Sequence, residues 1–156
     1  MDLNGLIESI HASRKRFLNH LKGLRDDQWD WKPYPECKSI RETLAHLVMD
    51  DRVFLARLQT NGDLDYSSVK ENETDIPKLL ALMEESHLGL CRFIGDRFAD
   101  TPLDAPVMFF TGETTLGRAL AEIPSEDYYH AGQVAFIRLA TDPQWNYYKQ
   151  IYGWGE

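Results

Sequence analysis

Apolar residues recur at three- and four-residue steps along most of this chain, a period that is typical of amphipathic helices. The first run predicts one long helix from about residue 2 to residue 24, on these positions: Leu3, Leu6, Ile7, Ile10, Phe17, Leu18, Leu21 and Leu24. At the second run, Ser39 and Glu42 have the spacing of a capping box and predict a helix that continues to about Thr60. The first half of the chain is therefore predicted to be largely helical.

A third helix is predicted after a polar, acidic stretch at 67–74. Asp75 precedes Ile76 and Pro77, which is the pattern of an N-cap followed by proline in the first turn, and the apolar period then runs to Phe98. The polar stretch predicts a long connection between the second and third helices.

The fourth helix is predicted to begin near Thr114 or Thr115 and to end at about Ala140. Pro124 interrupts this run, and proline removes a backbone donor inside a helix. It therefore either kinks one long helix or starts a new one capped by Ser125.

The remaining segments are connectors. Prolines prevent a helix in 26–38, whose Trp29, Trp31 and Tyr34 are predicted to face inward across the end of the bundle. Val107–Phe110 is predicted to be a brief extended piece, too isolated to form a sheet. Four long helices without convincing strands predict an all-α fold, an antiparallel four-helix bundle with a long crossover connection.

Composition limits the classes of function. With 156 residues, of which 43% are hydrophobic, the chain predicts a single domain over residues 1–156. The net charge of −8 disfavours nucleic acid and anionic membranes as partners. The first residues show no leader pattern and no apolar run is long enough for a membrane span, so we expect a cytoplasmic protein. Cys37 and Cys91 show no Cys-x-x-Cys pattern and are expected to be free thiols.

Glu126 and His130 carry the main chemical clue. Their i,i+4 spacing places a carboxylate and an imidazole on one helix face, and His46 lies within the second predicted helix. If His46 approaches from that helix, two imidazoles and one carboxylate can bind a metal ion and leave other positions open. The alternatives are a surface ion pair or a satisfied hydrogen bond in the core.

Several neighbours are candidates for supporting roles. Asp50 lies one turn after His46 and could be a fourth ligand, a base or a hydrogen-bond partner of the imidazole, or a solvated acid. Gln133 could orient a ligand or a bound water, or simply pack between helices. For Glu42 we expect the capping role. Tyr128 and Tyr129 could donate to a substrate oxygen, or pack in the core or at an interface. The other residues considered are expected to be structural: His11, His20, His87 and Cys91.

Three short motifs together resemble the DinB-like family of metal-binding four-helix bundles: Ser39–Leu47, Gly112–Leu116 and His130–Val134. In that family the metal is held by a histidine of the second helix and by two histidines spaced i,i+4 in the fourth. The resemblance implies His46 and His130 as ligands, while Glu126 stands where histidine is commoner. This difference has two interpretations. Glutamate can still bind a metal ion and favours harder ions, or the site of this chain has lost its metal.

Two classes of function follow from this resemblance. Relatives include thiol-dependent S-transferases and isomerases, which implies a divalent-metal-dependent thiol transferase, or a related hydrolase or isomerase, acting with a small-molecule thiol or substrate. The other class is a non-catalytic metal-binding or stress-associated protein. Nickel, zinc, iron and manganese all accept imidazole and carboxylate ligands. The second helix is apolar on two sides and the tail, Trp145–Trp154, is aromatic, so we expect a homodimer.

Overall fold

Four long helices dominate the structure, a computed structural model that describes residues 2–110 and 112–155. They are α1 (Leu3–Leu21), α2 (Ile40–Thr60), α3 (Ile76–Phe98) and α4 (Leu116–Thr141). The predicted all-α four-helix bundle is confirmed. None of the described helices has the length and apolarity that crossing a membrane requires.

Each long helix begins at a side chain that accepts a hydrogen bond from its first turn. The capping residues are Asp2, Ser39, Asp75 and Thr115. Glu42 completes the predicted capping box, because its carboxylate accepts a hydrogen bond of 2.8 Å from the Ser39 backbone N–H. These caps satisfy backbone donors that have no partner within the helix, and so they set where each helix starts.

The helices form two parallel pairs. Arg14 of α1 contacts Asp127 of α4, and farther along both helices Arg138 donates to the backbone carbonyl of His20, so α1 and α4 run in the same direction. The apolar clusters place the beginnings of α2 and α3 together and their ends together. The predicted antiparallel packing holds between the pairs, α1 with α3 and α2 with α4, and the crossover makes the parallel α2–α3 pair possible.

Three arginines of α2 hold the crossover along the side of the bundle. The Arg57 guanidinium lies 4.7 Å from the centre of the Tyr66 ring, and Arg52 donates to Glu71 at 2.9 Å. Near the start of α2, Arg41 donates to the backbone carbonyl of Thr74. The long polar connection is thus tied to α2 at three points along the helix.

A β-hairpin precedes α4 and corrects the prediction of an isolated extended piece. Strand β1 (Pro106–Phe109) pairs with strand β2 (Gly112–Thr115) in a two-stranded antiparallel sheet. Phe109 is only 2% exposed and stacks on Phe54 of α2, which anchors the hairpin in the core. The polar strand β2 carries no alternating pattern, so the sequence alone did not reveal it.

Pro124 lies inside α4, and no new helix starts at Ser125. The Ser125 hydroxyl instead donates to the backbone carbonyl of Glu122. The residues on both sides of the proline therefore belong to one helix, and Glu126 follows in its next turn.

A buried polar layer divides the core into two apolar clusters. The first includes Leu6, Ile10, Phe54, Leu90 and Leu120, and the second includes Phe17, Leu44, Leu47, Met83 and Val134. Between them, Arg14 pairs with two buried carboxylates, Asp51 and Asp127. The layer lies directly beside the candidate site, because residues 51 and 127 follow residues 50 and 126.

The tail forms a short helix, α5 (Tyr147–Tyr152), against the end of α1. The Gln150 side-chain amide donates to the backbone carbonyls of Asn19 and Lys22, at 2.7 and 3.1 Å. These bonds satisfy carbonyls that the end of a helix leaves free, so the tail closes this end of the bundle. Dimerisation remains a prediction.

The aromatic residues of the connector between α1 and α2 differ in burial. Trp29 and Trp31 are half-buried and pack against the second apolar cluster, as predicted. Tyr34 is 61% exposed, contrary to the prediction that all three would face inward. The prolines on either side of Tyr34 carry this part of the connector away from the core.

Candidate metal centre

The structure brings the three predicted ligands together. The imidazole rings of His46 on α2 and His130 on α4 lie 4.9 Å apart, at an angle of 79°. Glu126 Oε2 lies 3.7 Å from His130 Nε2, and Asp50 Oδ2 lies 3.2 Å from His46 Nε2. One donor atom from each of these residues lies within 4.8 Å of the other three.

Two matching i,i+4 pairs build this cluster. Residues four apart on a helix are neighbours on its surface, so His46 lies over Asp50 and Glu126 lies over His130. Because α2 and α4 are antiparallel and in contact, the two pairs face each other. Asp50, for which the sequence left several roles open, thus lies among the candidate donors.

Unpaired buried atoms indicate that this donor set fits a cation. Nε2 of His130 and Oδ2 of Asp50 are both buried, and neither has a hydrogen-bond partner among the described residues. The 3.2 Å approach of Asp50 to His46 is therefore a close contact without hydrogen-bond alignment. An unsatisfied buried polar group costs about 1–3 kcal/mol, and a bound ion would remove this cost for both atoms.

Gln133 determines which nitrogen of His130 is available. His130 Nδ1 lies 2.7 Å from the side-chain carbonyl oxygen of Gln133. Because a carbonyl oxygen only accepts hydrogen bonds, the ring proton is assigned to Nδ1, and the lone pair of Nε2 is directed to the cluster. This arrangement is typical of the hydrogen bonds that orient metal-bound histidines.

Burial keeps the imidazoles neutral and raises the affinity of Asp50 for a proton. Burial, followed by the nearby His130 and Lys38, lowers the pKa of His46 to about 4. The pKa of His130 is also lowered, chiefly by burial. Burial, together with the charges of Glu126 and Asp51, raises the pKa of Asp50 to about 7. At neutral pH the nitrogen lone pairs are free, and the crowded carboxylates favour a positive charge between them.

A cavity of about 690 Å³ opens onto the cluster. His46, Glu126 and His130 line it, together with Cys37 and Lys38 of the connector. Asp50 lines a separate pocket of about 360 Å³, which shares His46 and Glu126 with the first. Three of the four donors therefore face a space large enough for a small molecule.

The two tyrosines before His130 lie outside the core. Tyr128 is 46% exposed and Tyr129 is 63% exposed, so neither packs in the bundle interior. The Tyr129 ring lies 5.0 Å from the ring of His130 and lines the larger cavity. Tyr129 is therefore part of the wall of the candidate site.

The buried network of Arg14 was not predicted from the sequence. Its guanidinium donates two hydrogen bonds to Asp51, both 3.0 Å, and one of 2.8 Å to Asp127. The available signal was the position of Arg14, which lies between Ile10 and Phe17 on the apolar face of α1. A charge on such a face requires a buried partner. The network ties α2 and α4 together next to the candidate ligands.

A second group of metal-binding residue types was also missed. His11 of α1 meets His87 and Cys91 of α3, and a donor atom of each lies within 4.8 Å of the other two. The i,i+4 spacing of His87 and Cys91 was a local signal, but it did not indicate that His11 would join them. His20, by contrast, is buried and donates from Nδ1 to the backbone carbonyl of Arg16, as expected for a structural histidine.

Fold and donor set together define a helical-bundle protein with a candidate metal centre between two of its helices. Residues 9–134 match the model of the DinB superfamily, which covers the candidate ligands and most of the bundle. The chain belongs to the DinB superfamily, and the resemblance found in its motifs is confirmed. Among curated proteins, no significant sequence match to the chain is found.

Proposed function

We propose that this protein binds one divalent transition-metal ion through His46, Glu126 and His130, with Asp50 as a further ligand. We further propose that it acts on a small-molecule thiol or a water molecule, as a metal-dependent thiol transferase or a related hydrolase or isomerase. The observation that supports this is the convergence of four donor atoms beside a cavity of about 690 Å³.

The chemistry of the donors limits which ions suit the site. Two neutral imidazoles and two carboxylates suit zinc, nickel, iron and manganese. When both carboxylates are ionised, their charge balances that of a divalent cation. Binding then releases the proton that Asp50 holds below its raised pKa of about 7, so the affinity for the ion rises with pH through that range.

The cavity supplies groups that can bind and orient a substrate. An ion in the site would act as a Lewis acid that lowers the pKa of a thiol or water. The aromatic rings of Tyr34, Tyr129 and Phe136 form exposed apolar surface around the site, and Lys38 adds a positive charge. Such a wall suits a small molecule with an apolar part and an anionic group.

The presence of Asp50 among the donors also favours the second class of function, metal binding without turnover. Four protein donors can fill a tetrahedral site, as in structural zinc sites. Against this, the larger cavity reaches three of the four donors, which leaves room for an additional ligand. A fifth coordination position on that side separates the catalytic function from simple retention of the ion.

Metal content tests the ligand assignment. By elemental analysis, the unchanged protein should hold up to one more ion of zinc, nickel, iron or manganese per chain than the variants His130→Ala and Glu126→Gln. Glu113→Gln is the matched control, because Glu113 is exposed on β2 and belongs to no donor cluster among the described residues. Unchanged metal content in both ligand variants would falsify the assignment.

Cobalt substitution separates catalysis from retention. If the centre has a free position, addition of cysteine or glutathione to the Co²⁺-loaded protein should produce a thiolate-to-metal absorption band. The measurement is made in a Cys91→Ser background, which removes the buried thiol beside His11 and His87. The band that follows thiol addition should be absent when His46→Asn is added to that background. A metal-loaded protein whose spectrum does not respond to any thiol or anion would support retention and contradict the transferase proposal.

A further inference from the structure

The cluster of His11, His87 and Cys91 lies apart from the centre described above. His11 Nδ1 lies 2.9 Å from His87 Nε2, and Cys91 Sγ lies 3.9 Å from each of these nitrogens. His87 and Cys91 share one face of α3, and His11 reaches them from the antiparallel α1. Two imidazoles and a thiol thus converge from two helices.

We infer that these three residues form a second metal site, which binds a thiophilic cation such as zinc. In a tetrahedral zinc site, bond lengths of about 2.0–2.1 Å to nitrogen and 2.3 Å to sulfur place two nitrogens about 3.3 Å apart and nitrogen and sulfur about 3.6 Å apart. The observed distances, 2.9 and 3.9 Å, differ from these by only a few tenths of an ångström. Small side-chain rotations are sufficient to reach coordination geometry.

The fold does not otherwise use these groups. His87 is 6% exposed and Cys91 is 5% exposed. Among the described residues, the side chain of His87 has polar contacts only with His11 and Cys91, and none with the backbone. His87 Nε2 lies at hydrogen-bond distance from His11 Nδ1, whereas His87 Nδ1 is buried without a hydrogen-bond partner among the described residues, which is unusual for a buried imidazole.

Nearby buried charges can balance a divalent cation once the Cys91 thiol is deprotonated, although burial raises the pKa of that thiol to about 12 and Arg14 disfavours positive charge at His87. The nearest buried charges are those of the polar layer, in which Arg14 contributes one positive charge and Asp51 and Asp127 contribute two negative charges when ionised. With the Cys91 thiolate, the local charge offsets that of a divalent ion. As the bond from sulfur to the metal forms, the thiol proton passes to solvent.

The site has an entry path and a free position. A groove of about 600 Å³ between α1 and α3 is lined by His11, His87 and Arg14. His11 itself is exposed. Three protein ligands leave the fourth position of a tetrahedral ion to water or to a small ligand from this groove.

The two cysteines of the chain provide a matched test with Co²⁺ as the probe. The experiment uses the full-length protein carrying His46→Asn, so that the first centre is disabled. We expect one Co²⁺ per chain and a near-ultraviolet thiolate-to-metal band without added thiol. Cys91→Ser should abolish the band, whereas Cys37→Ser, which changes the connector, should keep it.

A variant at an exposed position keeps the test independent of folding. His11→Gln should retain the fold, as judged by circular dichroism, and should weaken Co²⁺ or Zn²⁺ binding by about tenfold or more. No band in the His46→Asn protein, or a band that depends on Cys37, would overturn the assignment. So would Co²⁺ affinity unaffected by His11→Gln. Failure of this site leaves the His46 centre untouched, because the two share no residue.

Discussion

Replacing Arg14 with methionine should destabilise the bundle strongly. Arg14 is 6% exposed, and its partners Asp51 and Asp127 are 2% and 3% exposed. The substitution preserves most of the apolar stem but leaves two buried carboxylates without their cation. Breaking a buried ion pair from one side costs about 3–5 kcal/mol. Asp127 limits the loss to this range, because burial raises its pKa and it can take up a proton.

Urea unfolding followed by circular dichroism measures this loss directly. For a chain of 156 residues, 3–5 kcal/mol corresponds to a fall in melting temperature of about 6–20 °C. Arg92→Met is the matched control, because Arg92 is exposed on α3, and it should leave the unfolding midpoint within experimental error.

A triple variant in which Arg14, Asp51 and Asp127 are all replaced by uncharged residues tests whether charge causes the loss of stability. Adding Asp51→Asn and Asp127→Asn to Arg14→Met removes the uncompensated charges and should recover most of the lost stability. If Arg14→Met is no less stable than Arg92→Met, the buried network does not support the fold. If the triple variant is as unstable as Arg14→Met alone, lost packing rather than charge explains the effect.

Three further changes test the local structure. Gly62→Ala should lower the free energy of unfolding by about 1–3 kcal/mol, because Gly62 has φ +91° and an added Cβ would lie 2.7 Å from Met108 Cβ. The control is Gly89→Ala on α3, where an added Cβ meets no atom within 4 Å and should cause no loss of stability. Equal urea midpoints for the two variants would contradict this prediction. Ser39→Ala should lower the free energy of unfolding by about 1 kcal/mol, since it removes the cap of α2, and an unchanged thermal melt would show that the cap is dispensable. Burial lowers the pKa of His20, so the unfolded chain protonates first as pH falls through about 6.5 and stability is lost. His20→Gln should therefore reduce the difference between urea midpoints at pH 7.5 and 5.5, and a difference equal to that of the unchanged protein would refute this assignment.

Helices and their starting points could be predicted because their signals are local. The apolar period and the Ser39–Glu42 capping box act within one or two turns, and the structure confirms both. The hairpin was not predicted, because the signals that form it are not local. Its second strand exists because Phe109 is anchored in the core and the two strands pair, which are tertiary contacts that no local pattern encodes.

Some residues of the candidate site could likewise be predicted from local spacing, and others could not. The i,i+4 spacing of Glu126 and His130 was visible in the sequence, and the family resemblance selected His46 as the third member. The sequence left the role of Asp50 open, because one acid on a helix surface looks like any other. Only the antiparallel contact of α2 with α4 brings Asp50 to the other donors.

The sequence by itself determined which segments are helical, where they are capped and which side chains share a helix face. Only the tertiary structure decided which faces meet. It joined Arg14 to two distant carboxylates and His11 to His87. The physical reason is that helix formation depends on neighbours a few residues apart, whereas the approach of two helices depends on the packing of the whole core.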